Sequence, residues 1–242
     1  MAFKFFKRPL ALYYGHGRLQ DLAGFRRAVL QTGHYSAADL AWLARRRVTP
    51  LAYVSLGEDA GAPAPWHRPQ TNAAWHTAYV QVGDPRWQRH LASQADTALS
   101  KGFGGLFLDT LDTVDLFPED RAAMLELVHA LRIQVGTRPL LANRGFNLLP
   151  ELAELVDGVV VEAFSTRWLP GGGYAALEPS ELAWTAAQAS SLRALGVRAY
   201  ALDYCPEDRQ NGLGDALAQF ARGRARRHGL VSVASNRDLT RL

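Results

Sequence analysis

Two carboxylates stand where apolar, strand-like runs end. The stretch GGLFLDTLDTVDLF (104–117) closes its apolar run on Asp109 and continues through Asp112 and Asp115, while DGVVVEAF (157–164) sets Glu162 between three valines and an Ala-Phe pair. Burying a lone carboxylate is costly, so an acid with apolar neighbours on both sides is either paired or functional. Arg144 and Arg167 are the cations whose pairing would make Glu162 merely structural. Two acids converging on one site suit glycoside hydrolysis, in which one protonates the departing oxygen and the other attacks the anomeric carbon or activates water.

Other apolar runs also end in polar residues: Glu58, Asn143 with Arg144, Asp203 and Asn236. A single acid after a strand is as readily the N-cap of the next helix, which is the competing reading of Asp112 and Asp203. Tyr14, Trp66, Trp75, Trp168, Tyr174 and Tyr204 lie in or beside the same junctions, where aromatic rings stack on the apolar faces of sugars, and Tyr14 and Trp168 are the best placed. Core packing is the alternative for the rest.

Rival chemistries lack their motifs. The seven histidines show neither HxH nor HExxH spacing, so no metal site is expected. Cys205 stands alone, which excludes an intrachain disulfide, and no GxSxG occurs. The GGG run at 171–173 is not followed by GK[ST], so a phosphate-binding loop is not expected and neither is a cofactor.

The elements that must hold these residues alternate. Strand-like runs fall at 10–14, 28–32, 50–56, 105–109, 139–143, 158–163, 198–204 and 230–235, and helical apolar spacing at 36–47, 85–101, 119–135, 179–195 and 213–228. Ser36 and Ser180 are the expected N-caps. Eight strands with crossover helices predict an α/β fold of the (β/α)8 TIM-barrel type, formed as a single domain over 1–242, with active residues at the C-terminal strand ends. The connection after the first strand is short for a helix. Residues 57–84 read as a long ordered loop over the mouth, following strand three.

At 242 residues and 48% apolar content the chain is long enough for one large core. The formal charge is +4, with four arginines in ARGRARRH (221–228). Without interleaved aromatics that run reads as a solvated helix face, so no nucleic-acid partner is expected. The apolar run after Pro9 is too short for a signal-peptide core or a membrane span. A monomer is favoured.

Five segments together resemble glycoside hydrolase family 114, the endo-α-1,4-polygalactosaminidases. They are AYVSLGE (52–58), GFGGLFLDTLD (102–112), LANRGFNLL (141–149), DGVVVEAF (157–164) and ALDY (201–204), in matching order from about Tyr14 to Asn236. The resemblance implies a barrel hydrolase that cuts α-1,4-linked galactosamine or N-acetylgalactosamine exopolysaccharide internally, without a cofactor. It makes Asp109 the nucleophile and Glu162 the acid/base of a retaining mechanism. Tyr14, Glu58, Asp112, Asn143, Arg144, Asp203 and Tyr204, with Trp168, would then shape the sugar subsite. It also implies a secreted or periplasmic location. The competing function is a catalytically silent barrel that binds polysaccharide.

Overall fold

The computed structural model describes residues 7–206 and 213–242. The apolar runs form eight parallel strands: β1 (Arg8–Tyr13), β2 (Phe25–Leu30), β3 (Thr49–Ser55), β4 (Gly105–Asp109), β5 (Leu140–Asn143), β6 (Gly158–Glu162), β7 (Ala199–Tyr204) and β8 (Val231–Ser235). They hydrogen-bond in chain order, each to the next, as a nearly closed TIM-type (β/α)8 barrel. The outer edges of the sheet are β1 and β8. Pro9, which cannot donate to a ladder, sits in β1, an edge strand. Just past the strand ends the Tyr14 N–H donates to the Leu239 carbonyl at 2.7 Å and draws the two edges together.

The crossovers are α1 (Leu19–Leu22), α2 (Ala37–Arg45), α3 (Pro85–Lys101), α4 (Arg121–Val135), α5 (Glu151–Leu155), α6 (Pro179–Ala194) and α7 (Leu213–Arg227). The short connection after β1 holds the single turn α1. Ser36 caps α2 as expected, its hydroxyl accepting from the Asp39 N–H while the Asp39 carboxylate accepts from the Ser36 N–H. Ser180 does not cap α6. Pro179, with its fixed φ and missing N–H, already occupies the first helical position, so the cap falls on Glu178, whose N–H donates to Glu181 at 2.9 Å.

Strand alternation divides the core into two layers. Leu10, Leu12, Val29, Leu51, Phe107, Leu141, Val160 and Leu202 fill the barrel interior. Their neighbours, among them Ala11, Ala52, Leu106, Ala142, Val161 and Ala201, pack outward with helix residues such as Leu40, Leu91 and Leu127.

Residues 57–84 are not an irregular loop. Glu58–Asp59, His67–Asn72 and Thr77–Val80 form a three-stranded antiparallel sheet with the last of these in the middle. The strands are short and mostly polar, so no apolar alternation announces them. Asp59 ties this sheet together, accepting from the Gly61 N–H, Trp66 Nε1 and the His67 ring. A second hairpin, Thr166–Trp168 with Tyr174–Ala176, follows β6, and Gly171, Gly172 and Gly173 take positive φ at its tip.

The arginine run 221–228 is only partly solvated. Arg222, Arg226 and Arg227 are exposed, but Arg224 is 5% exposed, stacks on the Phe164 ring, and donates to the Phe164 and Leu182 carbonyls and to Thr185 Oγ1. Its charge also offsets that of buried Asp203. Removing it leaves acceptors and a buried carboxyl without their cation. Arg224→Ala is therefore expected to lower unfolding free energy by about 3–5 kcal/mol, read from urea midpoints at unchanged m-value, while Arg222→Ala stays within about 0.5 kcal/mol. Equal midpoints for the two variants would remove the buried arginine from the account of stability.

Candidate active site

Inward positions of the strands continue, one layer above the apolar filling, into polar residues. On β4 the inward series runs Phe107 then Asp109; on β5, Leu141 then Asn143; on β6, Val160 then Glu162; on β7, Leu202 then Tyr204. With Tyr14 and Gln31, each one residue past β1 and β2, and Tyr53 and Ser55 on β3, these side chains form the floor of a cavity of roughly 620 Å³ at the C-terminal strand ends. Its walls come from the three-stranded sheet through Glu58, Asn72, Trp75, Thr77 and Tyr79, from the turn after β4, and from Arg237, Asp238 and Leu239 after β8.

At the centre a single amide joins two acids. Asn143 Nδ2 donates to Asp109 Oδ1 at 2.9 Å and to Glu162 Oε2 at 2.6 Å. Asp109 Oδ1 also accepts the Thr110 N–H at 2.8 Å, and Glu162 Oε1 accepts the Tyr204 hydroxyl at 2.6 Å. Neither arginine that would neutralise Glu162 pairs with it: Arg144 lies 3.1 Å from Asp112, and Arg167 pairs with Glu181 at 2.5 Å. Glu162 is held by neutral donors.

The turn after β4 supports Asp109 from behind. Thr110 takes φ 62°, and its hydroxyl oxygen accepts from the Leu56 and Gly57 N–H groups at 3.0 and 2.7 Å. A Cβ on Gly57 would stand 2.0 Å from Thr113 Oγ1 and 2.6 Å from the Thr110 carbonyl, so only glycine lets the β3 and β4 turns close together. One residue on, the Glu58 carboxylate accepts Asn72 Nδ2 at 3.0 Å and the Thr77 hydroxyl at 2.6 Å.

Burial raises Asp112 to about 6; Arg144 opposes this, while Asp109, Glu162 and Asp115 add to it by repulsion. Tyr14 and Tyr204 are pushed well above the usual phenol range, first by burial, then by the neighbouring carboxylates. In Tyr53 the same causes act, burial first and then Asp109. All three phenols stay protonated and available as donors. Six acids, Glu58, Asp109, Asp112, Asp115, Glu162 and Asp238, line the cavity against two arginines, Arg144 and Arg237.

Eight of the ten residues expected from sequence therefore converge: Tyr14, Glu58, Asp109, Asp112, Asn143, Arg144, Glu162 and Tyr204. Asp203 does not. It is one residue out of phase with Leu202 and Tyr204, faces the helix layer, and accepts the Ser165 and Thr166 N–H groups at 2.5 and 2.9 Å. Burial lifts its carboxyl to about 6. Trp168 stands one row behind the cavity, edge-on to Trp75 at 6.2 Å with the Arg237 guanidinium 4.5 Å from its ring.

Asn236 organises its own turn through the Thr240 and Arg241 N–H groups. Trp66 packs on Trp87 and His90, away from the mouth, and Tyr174 accepts the Arg237 N–H. Sequence reading missed Tyr53, Asn72, Thr77 and Asp238. For Tyr53 the signal was present, since it lies two residues past Leu51 on the same face of β3. Among the described residues no three His, Cys, Asp or Glu side chains form a group able to hold a metal ion.

The structure is similar to the glycoside hydrolase domain of PelA from Pseudomonas aeruginosa, with a TM-score of 0.87 and 31% identity over 97% of this chain and 96% of that one. Ega3 of Aspergillus fumigatus, solved in complex with galactosamine, gives a TM-score of 0.72 over 97% of this chain and 92% of that one; at 12% identity this likeness shows the fold. An uncharacterized protein of Thermotoga maritima is 23% identical over 90% of this chain and 76% of its own length. The family model for glycoside-hydrolase family GH114 matches residues 23–240, and the chain belongs to that family.

Proposed function

We propose that this glycoside hydrolase cleaves α-1,4-linked galactosamine or N-acetylgalactosamine polysaccharide internally, by a retaining mechanism with Asp109 as nucleophile and Glu162 as acid/base. The observation that carries the reading is the Asn143 bridge. Bonds of 2.9 and 2.6 Å to one nitrogen cap the separation of the two bonded oxygens at their sum, about 5.5 Å, so it does not exceed the spacing of retaining enzymes (about 5–5.5 Å) and falls short of that of inverting ones (about 6.5–9.5 Å).

In the proposed reaction Asp109 Oδ attacks the anomeric carbon while Glu162 gives its proton to the leaving glycosidic oxygen. Water then enters from the side the leaving group vacated, Glu162 takes its proton, and the Asp109–sugar ester is released as free carboxylate and sugar. Asn143 keeps both acids in register through this exchange. Its amide is a neutral donor to both. The amino sugar follows from three supports: the motifs shared with family 114, the galactosamine held by Ega3, and a cavity in which carboxylates outnumber guanidiniums. Substrates of this kind lie outside the cytoplasm, so we place the protein in the periplasm or outside the cell, working as one domain over 1–242.

Activity on galactosamine oligomers tests the reading directly. Asp109→Ala is expected to lose turnover, with added azide restoring product as a glycosyl azide of inverted anomer. Glu162→Ala should lose about a hundredfold or more on polymer and far less on an aryl glycoside whose leaving group needs no proton. Binding of oligomers without cleavage by the parent protein would instead establish a silent polysaccharide-binding barrel.

The acidic cavity generates a second expectation. Asp112 is raised to about 6, so it is neutral below that pH and gains charge as pH climbs past it. The KM for deacetylated, cationic oligomer should fall severalfold between about pH 5 and 7, and that for acetylated, neutral oligomer should not. Asp112→Asn should flatten the difference. A KM that shifts equally for both substrates would take Asp112 out of substrate attraction.

A further inference from the structure

The barrel has a second face, opposite the cavity, where the helices return to the N-terminal strand ends. Exposed arginines occur in three of these return turns, Arg47 before β3, Arg138 before β5 and Arg198 before β7, and exposed Arg227 ends α7. Exposed acids there are few. Asp157, before β6, is already paired with Arg132 at 3.0 Å. The formal charge of the chain is +4 even though six acids are drawn into the cavity, so the positive excess lies outside it.

Cations at helix C-termini have an ordinary explanation in the helix dipole, and that covers Arg45, Arg193, Arg226 and Arg227. It does not cover Arg47, Arg138 and Arg198, which lie beyond the helices. Nor does it cover two aliphatic side chains on the same face: Ile133, in the last turn of α4, is 68% exposed, and Leu195, directly after α6, is 41% exposed. Between the turns into β7 and β8 an open recess of roughly 500 Å³ is lined by Arg193, Arg198 and His228.

We propose that this face docks on an anionic lipid surface, with Arg47, Arg138 and Arg198 against the headgroups and Ile133 and Leu195 entering the interface. Guanidiniums alone would serve any polyanion. Exposed aliphatic tips among them fit a bilayer, whose interface takes up both, and have no counterpart on a nucleic-acid phosphate surface. The recess is of headgroup size, and no tryptophan, tyrosine or phenylalanine lines it; its imidazole, His228, packs edge-on to Phe164. Docked this way, the cavity faces away from the membrane, open to polymer. The inference does not depend on which sugar the cavity takes.

Co-sedimentation of the full chain with phosphatidylcholine vesicles, with and without phosphatidylglycerol, tests it. Binding should require the anionic lipid and weaken as salt rises. The triple variant Arg47→Glu, Arg138→Glu, Arg198→Glu should bind about a hundredfold more weakly, at roughly fivefold or more per site, with soluble-substrate hydrolysis unchanged. If the triple variant melts early, Arg198→Glu alone carries the same test with about a fivefold loss. Ile133→Ser with Leu195→Ser should weaken binding severalfold, and the loss should persist at high salt. Equal binding to neutral vesicles, no effect of the arginine substitutions, or no effect of the aliphatic ones would overturn the proposal. Tighter binding to duplex DNA than to vesicles at matched phosphate would also overturn it, in favour of a nucleic-acid surface.

Discussion

Successive side chains of a strand point to opposite faces, and a barrel turns that alternation into a choice between interior and helix layer. Every central residue of the cavity sits two positions past an interior filler: Asp109 past Phe107, Asn143 past Leu141, Glu162 past Val160, Tyr204 past Leu202. Each filler fixes the phase of the polar residue above it. A slip of one residue on β4 would put Leu108 over the cavity and bury Asp109 among helix side chains. Packing of the barrel interior is thus the physical origin of the constellation, and the short β5, Leu140–Asn143, needs only Leu141 to aim Asn143 correctly.

The phase alone would set two acids side by side at a high electrostatic cost. What makes the pair tolerable is the kind of donor around it. Asn143, Tyr204 and the Thr110 N–H are neutral donors that take the place of the water the carboxylates lose. The arginines are kept one step away, Arg144 on Asp112 and Arg167 on Glu181.

The strands were legible because their apolar runs are continuous, the signature of elements buried on both faces. For the same reason the ends of β4, β5 and β6 located Asp109, Asn143 and Glu162. Asp203 shows where that logic stops: an acid in the last turn of a strand reads the same whichever face it takes, and only the interior partners Leu202 and Tyr204 settle its phase. The sheet at 58–80 escaped because His67–Asn72 is half-exposed and polar, with Pro69 inside it, and its stability comes from side-chain knots such as Asp59 with Trp66 and His67. Such knots join residues several positions apart and leave no period to read. Glu178 was hidden as a cap for a different reason, since glutamate is a weak capping residue and Ser180 looked stronger.

The two ends of the barrel carry opposite charge, and the backbone contributes to that. Crossover helices start at the cavity end and finish at the far end, so their positive dipole ends lie near the acids and their negative ends near the arginines. At the cavity end the complement is local: Asp84 caps α3, Asp39 sits in the first turn of α2 and Glu181 in that of α6. Those acids are occupied by N–H groups or by arginine and cannot meet a substrate. Asp109, Glu162 and Glu58 are not caps; side chains hold them from beside and below, which leaves their charge directed into the cavity. The dipoles thus favour an acidic mouth in general, while the hydrogen-bond partners decide which carboxylates remain free to act in it.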